Sequence, residues 1–264
     1  MSCIDWPCEV KTYFRETNGG LRYGYSEQID WFFDQVEEGI IFEDDNVPNP
    51  SFFPYCKELL ERYRDNPRVM VIDGFNIRDR SPELRIPESY RFSRIPMCTG
   101  WGTWRRAWAL YDVHMRNFDA LIDTPELRKN FGDEGAYQRW RRVCGGYVEN
   151  ENGAPFWDAL WVFAIVSHGG LCAAPAHNLV SNIGTGPGST HNYDGDVSMN
   201  KPTTPMQFPL VHPSRIEADD KADMYLYRYV FRIDKDLLHY YIARPLRNMF
   251  PHAYQKAKKL LGRS

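Results

Sequence analysis

The stretch Gly39-Ile40-Ile41-Phe42-Glu43-Asp44-Asp45-Asn46 decides the reading of this chain. It is a short apolar run that ends in three adjacent carboxylates and is followed by Pro48, Asn49 and Pro50. The run has no 3.6-residue periodicity and is flanked by Gly and turn formers, so it reads as an interior strand. Ligands of open α/β sheets gather beyond the carboxyl ends of strands, which is where this run sets Glu43, Asp44 and Asp45. Three like charges there repel unless a cation or hydrogen-bond donors compensate them, and a hard divalent ion is the simplest compensator. The plain alternative is a turn, because Asp and Asn followed by Pro are ordinary turn formers.

On the N-terminal side, residues 9–15 read as a strand, and Asn18-Gly19-Gly20 as a turn leading into a helix over about 26–36. Ile29, Phe32, Phe33 and Val36 form the buried stripe of that helix. On the other side, Asn49 and Pro50 suit the N-cap and first position of a helix with Phe53, Cys56, Leu59, Leu60 and Tyr63 on one face. Residues 68–72 are the next strand, closed by Asp73-Gly74, which gives the order βαβαβ and an α/β fold. Residues 87–96 read as a linking or edge segment and 98–102 as a loop. Trp104, Ala107, Trp108, Tyr111, Met115 and Phe118 recur at helical spacing and predict one long core-facing helix. A further helix over 156–167 stops at Gly169-Gly170, a short strand covers 171–174, and 175–195 is a long polar loop of the kind that carries function.

Composition narrows the function. The 264 residues are 43% hydrophobic, enough for a sizeable core in one large domain or two small ones. A net charge of -3 supplies no field for nucleic acid, which disfavours that partner. The 6 Cys are widely spaced with no C-x-x-C pair, so neither a zinc site nor a secreted disulfide framework is suggested, and a reducing cytoplasm fits. The opening Met1-Ser2-Cys3-Ile4-Asp5 lacks the regions of a signal peptide, and the longest apolar run, 159–166, is too short to cross a bilayer. The C-terminal stretch is aromatic and basic. Its last helix brings Lys256, Lys259 and Arg263 together, either as a solvated face or as a peripheral contact with the inner face of a membrane.

Four blocks in this order resemble bacterial nucleotide-diphospho-sugar transferases of the GT-A fold. They are Gly39-Ile-Ile-Phe-Glu-Asp-Asp with Pro50-Ser-Phe-Phe, then Gly100-Trp-Gly-Thr-Trp-Arg, Phe156-Trp-Asp-Ala-Leu-Trp, and Asn178-Leu-Val-Ser-Asn-Ile-Gly with Thr190-His191. Together they cover most of residues 9 to 192. The resemblance implies a Rossmann-like, mixed but mostly parallel sheet flanked by helices over residues 1–212, with a helical, basic extension over 213–264. It also implies that the chain opens at the family's second strand, without the first strand–helix unit that cradles the nucleoside base.

The implied activity is a metal-dependent, inverting glycosyl transfer from a nucleotide sugar, with a UDP-sugar favoured, to a saccharide acceptor, in the synthesis of cell-surface polysaccharide. Mn2+ or Mg2+ would neutralise the leaving diphosphate. Asp45 matches the last acid of the family's metal motif, His191 is the second candidate ligand, and Glu43, Asp44 and Arg22 are the candidate donor contacts. Asp158 matches the catalytic base that takes the acceptor hydroxyl proton, and it would also complement the helix dipole there. Trp101 and Trp157 could stack on sugar, with Gly102 allowing close approach, or could simply pack. Two other readings stand beside this one. One is a non-catalytic sugar-nucleotide or saccharide-binding remnant of the fold. The other is a phosphoester hydrolase, which would need a second metal near Asp73.

Overall fold

The computed structural model describes residues 4–77, 81–149, 157–184, 200–233 and 249. In chain order the elements are α1 (Gly20–Gln35), β1 (Glu38–Ile41), β2 (Asn46–Pro48), α2 (Phe52–Tyr63), β3 (Val69–Asp73), β4 (Tyr90–Ser93) and β5 (Trp101–Trp104). There follow α3 (Arg105–Trp108), α4 (Phe118–Leu121), α5 (Pro125–Asn130), α6 (Glu134–Glu149), α7 (Trp157–Ser167), β6 (Leu171–Pro175), β7 (Val180–Asn182) and α8 (Asp220–Tyr225). A π-helical turn, Leu226–Val230, continues α8.

The chain is a mixed α/β protein around a five-stranded sheet of order β1-β5-β3-β6-β4, with β2 and β7 forming a separate pair. The expectation of a mostly parallel sheet is corrected, because among the described residues β3 and β6 are the only parallel neighbours. The reason is β5, read from sequence as a loop, which inserts antiparallel between β1 and β3 and pairs Gly102 with both Ile40 and Ile72. Even so, β1, β3 and β6 all run the same way. Their carboxyl ends, at Ile41, Asp73 and Pro175, therefore lie along one edge of the sheet.

β3 and β6 are buried along their whole length, as central strands require. One face of the sheet packs on α2 through Phe52, Tyr55, Cys56, Leu59 and Leu60. Phe53, expected inside, is 46% exposed, and Phe52 and Tyr55 fill the face instead. The other face packs on α1 and α7 through Ile29, Phe33, Trp101, Trp161 and Ile165. α7 is apolar all round, with Trp157 and Ala159 to Val166 buried, because α1, α6 and the sheet enclose it.

Three other expectations change. Residues 9–15 form no strand; they run extended along α1, where Lys11 bonds Gln35, Tyr13 stacks on Trp31 and Arg15 pairs with Glu27. Two strand residues rise about 6.6 Å and four helical residues about 6 Å, so alternate side chains of the segment meet successive turns of the helix. α1 begins at Gly20 rather than near 26, where Asn18 Oδ1 accepts the Gly20 amide. The long helix expected over 104–118 breaks after Trp108; Trp104 ends a strand and Met115 takes a positive φ of 50°. The helix predicted near 256–263 lies outside the described residues. Residues 218–227 pack on the sheet, with Ala218 bridging Phe92 and Asp219 pairing with Arg91.

Candidate active site

At the end of β1 the chain turns sharply: the Asn46 amide donates to Glu43 O at 3.1 Å, closing a turn whose tip is Asp44-Asp45. The acidic run is thus both a turn and a strand end. Asn46 Nδ2 donates to Asp45 Oδ1 at 2.7 Å, which fixes that carboxylate. β2 then pairs antiparallel with β7, so that Asn46 lies opposite Asn182. The Ile183 amide donates to Asp45 O at 2.9 Å, and the Gly184 amide to Asn182 Oδ1 at 2.8 Å. A Cβ on Gly184 would collide with Asp45 Oδ2, so glycine lets this strand end pass without displacing the carboxylate.

Gly74 ties the neighbouring strand ends together. Its amide donates to Gly100 O at 2.9 Å, and its carbonyl accepts from the Leu179 and Val180 amides. A Cβ there would strike Gly100 O, Val180 and Phe52. Asp73, at the end of β3, accepts from the Met97 amide at 2.9 Å and the Cys98 amide at 3.0 Å, and sets the loop that starts β5. It is fully buried.

α7 runs back from this edge, so its first turn brings Asp158 to the acids. Asp158 is exposed, and its Oδ1 accepts the Ala159 amide at 2.8 Å, as a carboxylate at a helix start does. The Trp157 indole lies near enough to Glu43 to favour its charged form slightly, against the larger opposing effects. Burial, followed by the charges of Asp45, Asp158 and Asp44, pushes the Glu43 carboxyl up to about 7. Glu43, Asp45 and Asp158 therefore share one electrostatic site, assembled from two elements more than a hundred residues apart.

Other candidate residues sit differently. Arg22, expected near the donor, is 4% exposed on α1, and its guanidinium donates to Val113 O, on the interior side of the helix. Trp101 is fully buried and Trp157 is 6% exposed. Tyr25 lies flat on Trp157, with ring centroids 3.9 Å apart, and Trp101 stacks near it at 5.7 Å. Protein rings thus occupy the faces that would meet a sugar. Gly102 sits mid-strand against Cys56 and Leu60 of α2, away from the acids. His191 lies outside the described residues, between Gly184 beside Asp45 and Asn200, whose amide returns to Asn182 O at 2.7 Å.

Sequence reasoning missed Tyr25, whose hydroxyl feels the charges of Glu43 and Asp158. Tyr25 falls between the Asn18-Gly19-Gly20 turn and the helix start expected near 26, and so on no predicted helix face. Among the described residues no three of His, Cys, Asp and Glu converge as a complete metal cage. The carboxylates present suit a hard cation held by one or two protein oxygens and completed by ligand and water oxygens. Among the described residues no helix is long and apolar enough to cross a membrane. No protein-family model matches the chain, and no curated protein matches it.

Proposed function

We propose that this protein is a metal-dependent glycosyltransferase of the GT-A type, transferring sugar from a nucleotide-diphosphate donor to a saccharide acceptor. The observation that carries the reading is the meeting of the Glu43-Asp44-Asp45 turn with Asp158 at one sheet edge, with Glu43 pushed up to about 7 by burial and then by its acidic neighbours. Such a site is short of positive charge. Mn2+ or Mg2+ bound at Asp45 would supply it and would neutralise the charge that develops on a departing nucleoside diphosphate. Asp158 is exposed and sits beside that region, where it can accept the proton of an attacking hydroxyl. Glu43 and Asp44 would face the donor.

The Asp158→Asn variant tests this assignment. It should lose sugar transfer while keeping metal-dependent binding of the donor nucleotide. Unchanged turnover would remove Asp158 from the chemistry.

One observation favours a second reading, a saccharide- or sugar-nucleotide-binding protein of the same fold without turnover. β1 is the end strand of the sheet, all four of its residues are half-exposed, and Phe42 and Phe53 beside it are open to solvent. The hydrolase reading loses its footing, because the carboxylate it needs for a second metal, Asp73, is buried and holds the Met97 and Cys98 amides.

A further inference from the structure

Residues 200–219 form a strap that starts at the acidic site and crosses the molecule to β4. Asn200 bonds Asn182, the Thr204 amide donates to Asn178 O at 2.8 Å, and the Met206 amide donates to Ser51 Oγ at 2.8 Å. Ser89 and Val211 then exchange bonds, with the Val211 amide on Ser89 Oγ and the Ser89 amide on Val211 O.

The next residue, His212, ends an unbroken hydrogen-bonded chain. Its Nδ1 lies 3.0 Å from Tyr90 Oη, and Tyr90 Oη lies 2.5 Å from Tyr63 Oη. Its Nε2 lies 3.2 Å from Glu58 Oε1. Tyr90 is fully buried and Tyr63 nearly so, so these hydroxyls depend on one another for partners.

Only one proton arrangement satisfies every member. Nε2–H of a neutral imidazole donates to Glu58, Tyr90 O–H donates to Nδ1, and Tyr63 O–H donates to Tyr90 Oη. Adding a proton to His212 places it on Nδ1 and turns an acceptor into a donor. Three protons then serve the two links between Nδ1, Tyr90 Oη and Tyr63 Oη, and one tyrosine O–H loses its acceptor.

We propose that His212 is a proton-operated clasp: as a neutral imidazole it bolts the 200–219 strap to α2 and β4, and its protonation at Nδ1 loosens the strap. The charged and titratable groups facing it are Glu58, Arg62 and Tyr63 from α2 and Tyr90 from β4. Burial and then the Arg62 charge lower its proton affinity, and Glu58 opposes them without prevailing. The fold thus favours the neutral form. The clasp is fully present above the ordinary histidine value of about 6.5 and is lost as pH falls through the lower folded value.

Amide hydrogen exchange at Val211 and Ser89, corrected for the intrinsic pH dependence of the rate, tests the clasp at about pH 7.5 and about pH 5. The expected result is a loss of protection of roughly tenfold or more in the native chain, the scale of one buried hydroxyl left without an acceptor. In His212→Asn, whose Oδ1 can still accept from Tyr90 but cannot take up a proton, protection should not change with pH. An equal loss in both proteins, or none in the native chain, overturns the proposal. Should the variant fail to fold, 15N titration of the native imidazole decides: an Nε2–H tautomer with a midpoint below about 6.5 supports the clasp. An Nδ1–H tautomer or a raised midpoint rejects it.

Discussion

Tyr25 lies on Trp157 with its ring plane 9° from parallel, and the Trp157 indole sits beside Glu43, whose charged form it favours. The first helix and the seventh thus meet at the acidic turn, and the stack fixes one member of the site from both sides. Among the described residues the Tyr25 hydroxyl finds no hydrogen-bond partner. Tyr25→Phe should therefore change stability by no more than about 1 kcal/mol, and in the favourable direction. Tyr25→Ala removes the ring and should cost about 2–3 kcal/mol in urea denaturation, with Glu43 released from its position. Equal costs for the two variants would show that the hydroxyl, not the stack, is what matters.

The raised Glu43 carboxyl has a stability consequence of definite sign. Its folded value lies above its unfolded value, so the folded state binds more protons, and stability falls as pH rises from about 4.5 to about 7. Glu43→Gln removes this cost. After discounting for its partial exposure, the variant should be more stable than the native chain by about 1–2 kcal/mol near pH 8 and equal to it near pH 4. Chemical denaturation across that range measures it, and parallel pH curves for the two proteins would contradict the account.

Metal should act in the opposite sense to this repulsion. Adding Mn2+ near pH 8 should raise the melting temperature of the native chain, and Asp45→Ala should abolish the rise. A rise of the same size in the variant would place the ion elsewhere.

Gly184→Ala tests the closeness of β7 to that carboxylate. The added methyl collides with Asp45 Oδ2 at a half-exposed strand end. The metal-free protein should therefore lose less than about 1 kcal/mol, whereas the Mn2+-dependent stabilisation should drop severalfold. A variant that keeps the full Mn2+ effect would show that Asp45 tolerates displacement.

How far the sequence revealed this site differs from element to element. β1 and the acidic turn were legible because an apolar run ending in charge has few other physical solutions. α7 was legible because its apolar run stops at Gly169-Gly170, whereas Asp158 was singled out only by the resemblance. β5 was not, because Trp104, Ala107 and Trp108 sit at helical spacing although Trp104 ends a strand, and Gly100-Trp101-Gly102 reads as loop. Strand order was hidden for a deeper reason: period and composition report which face of a strand is buried, but not which strand lies beside it. The alternation in residues 9–15 was real and was misassigned, since its partner is the surface of α1 and not a sheet. Tyr25 escaped because the stack that gives it a role joins residues far apart in sequence.

The most direct test of the proposed function is calorimetric titration of the full chain with UDP, with and without Mn2+, repeated on Asp45→Ala. The account predicts binding that requires Mn2+ and disappears in the variant. UDP binding that survives both metal removal and loss of the Asp45 carboxylate would contradict it, and so would a folded chain that binds neither UDP nor any other nucleoside diphosphate with Mn2+ present.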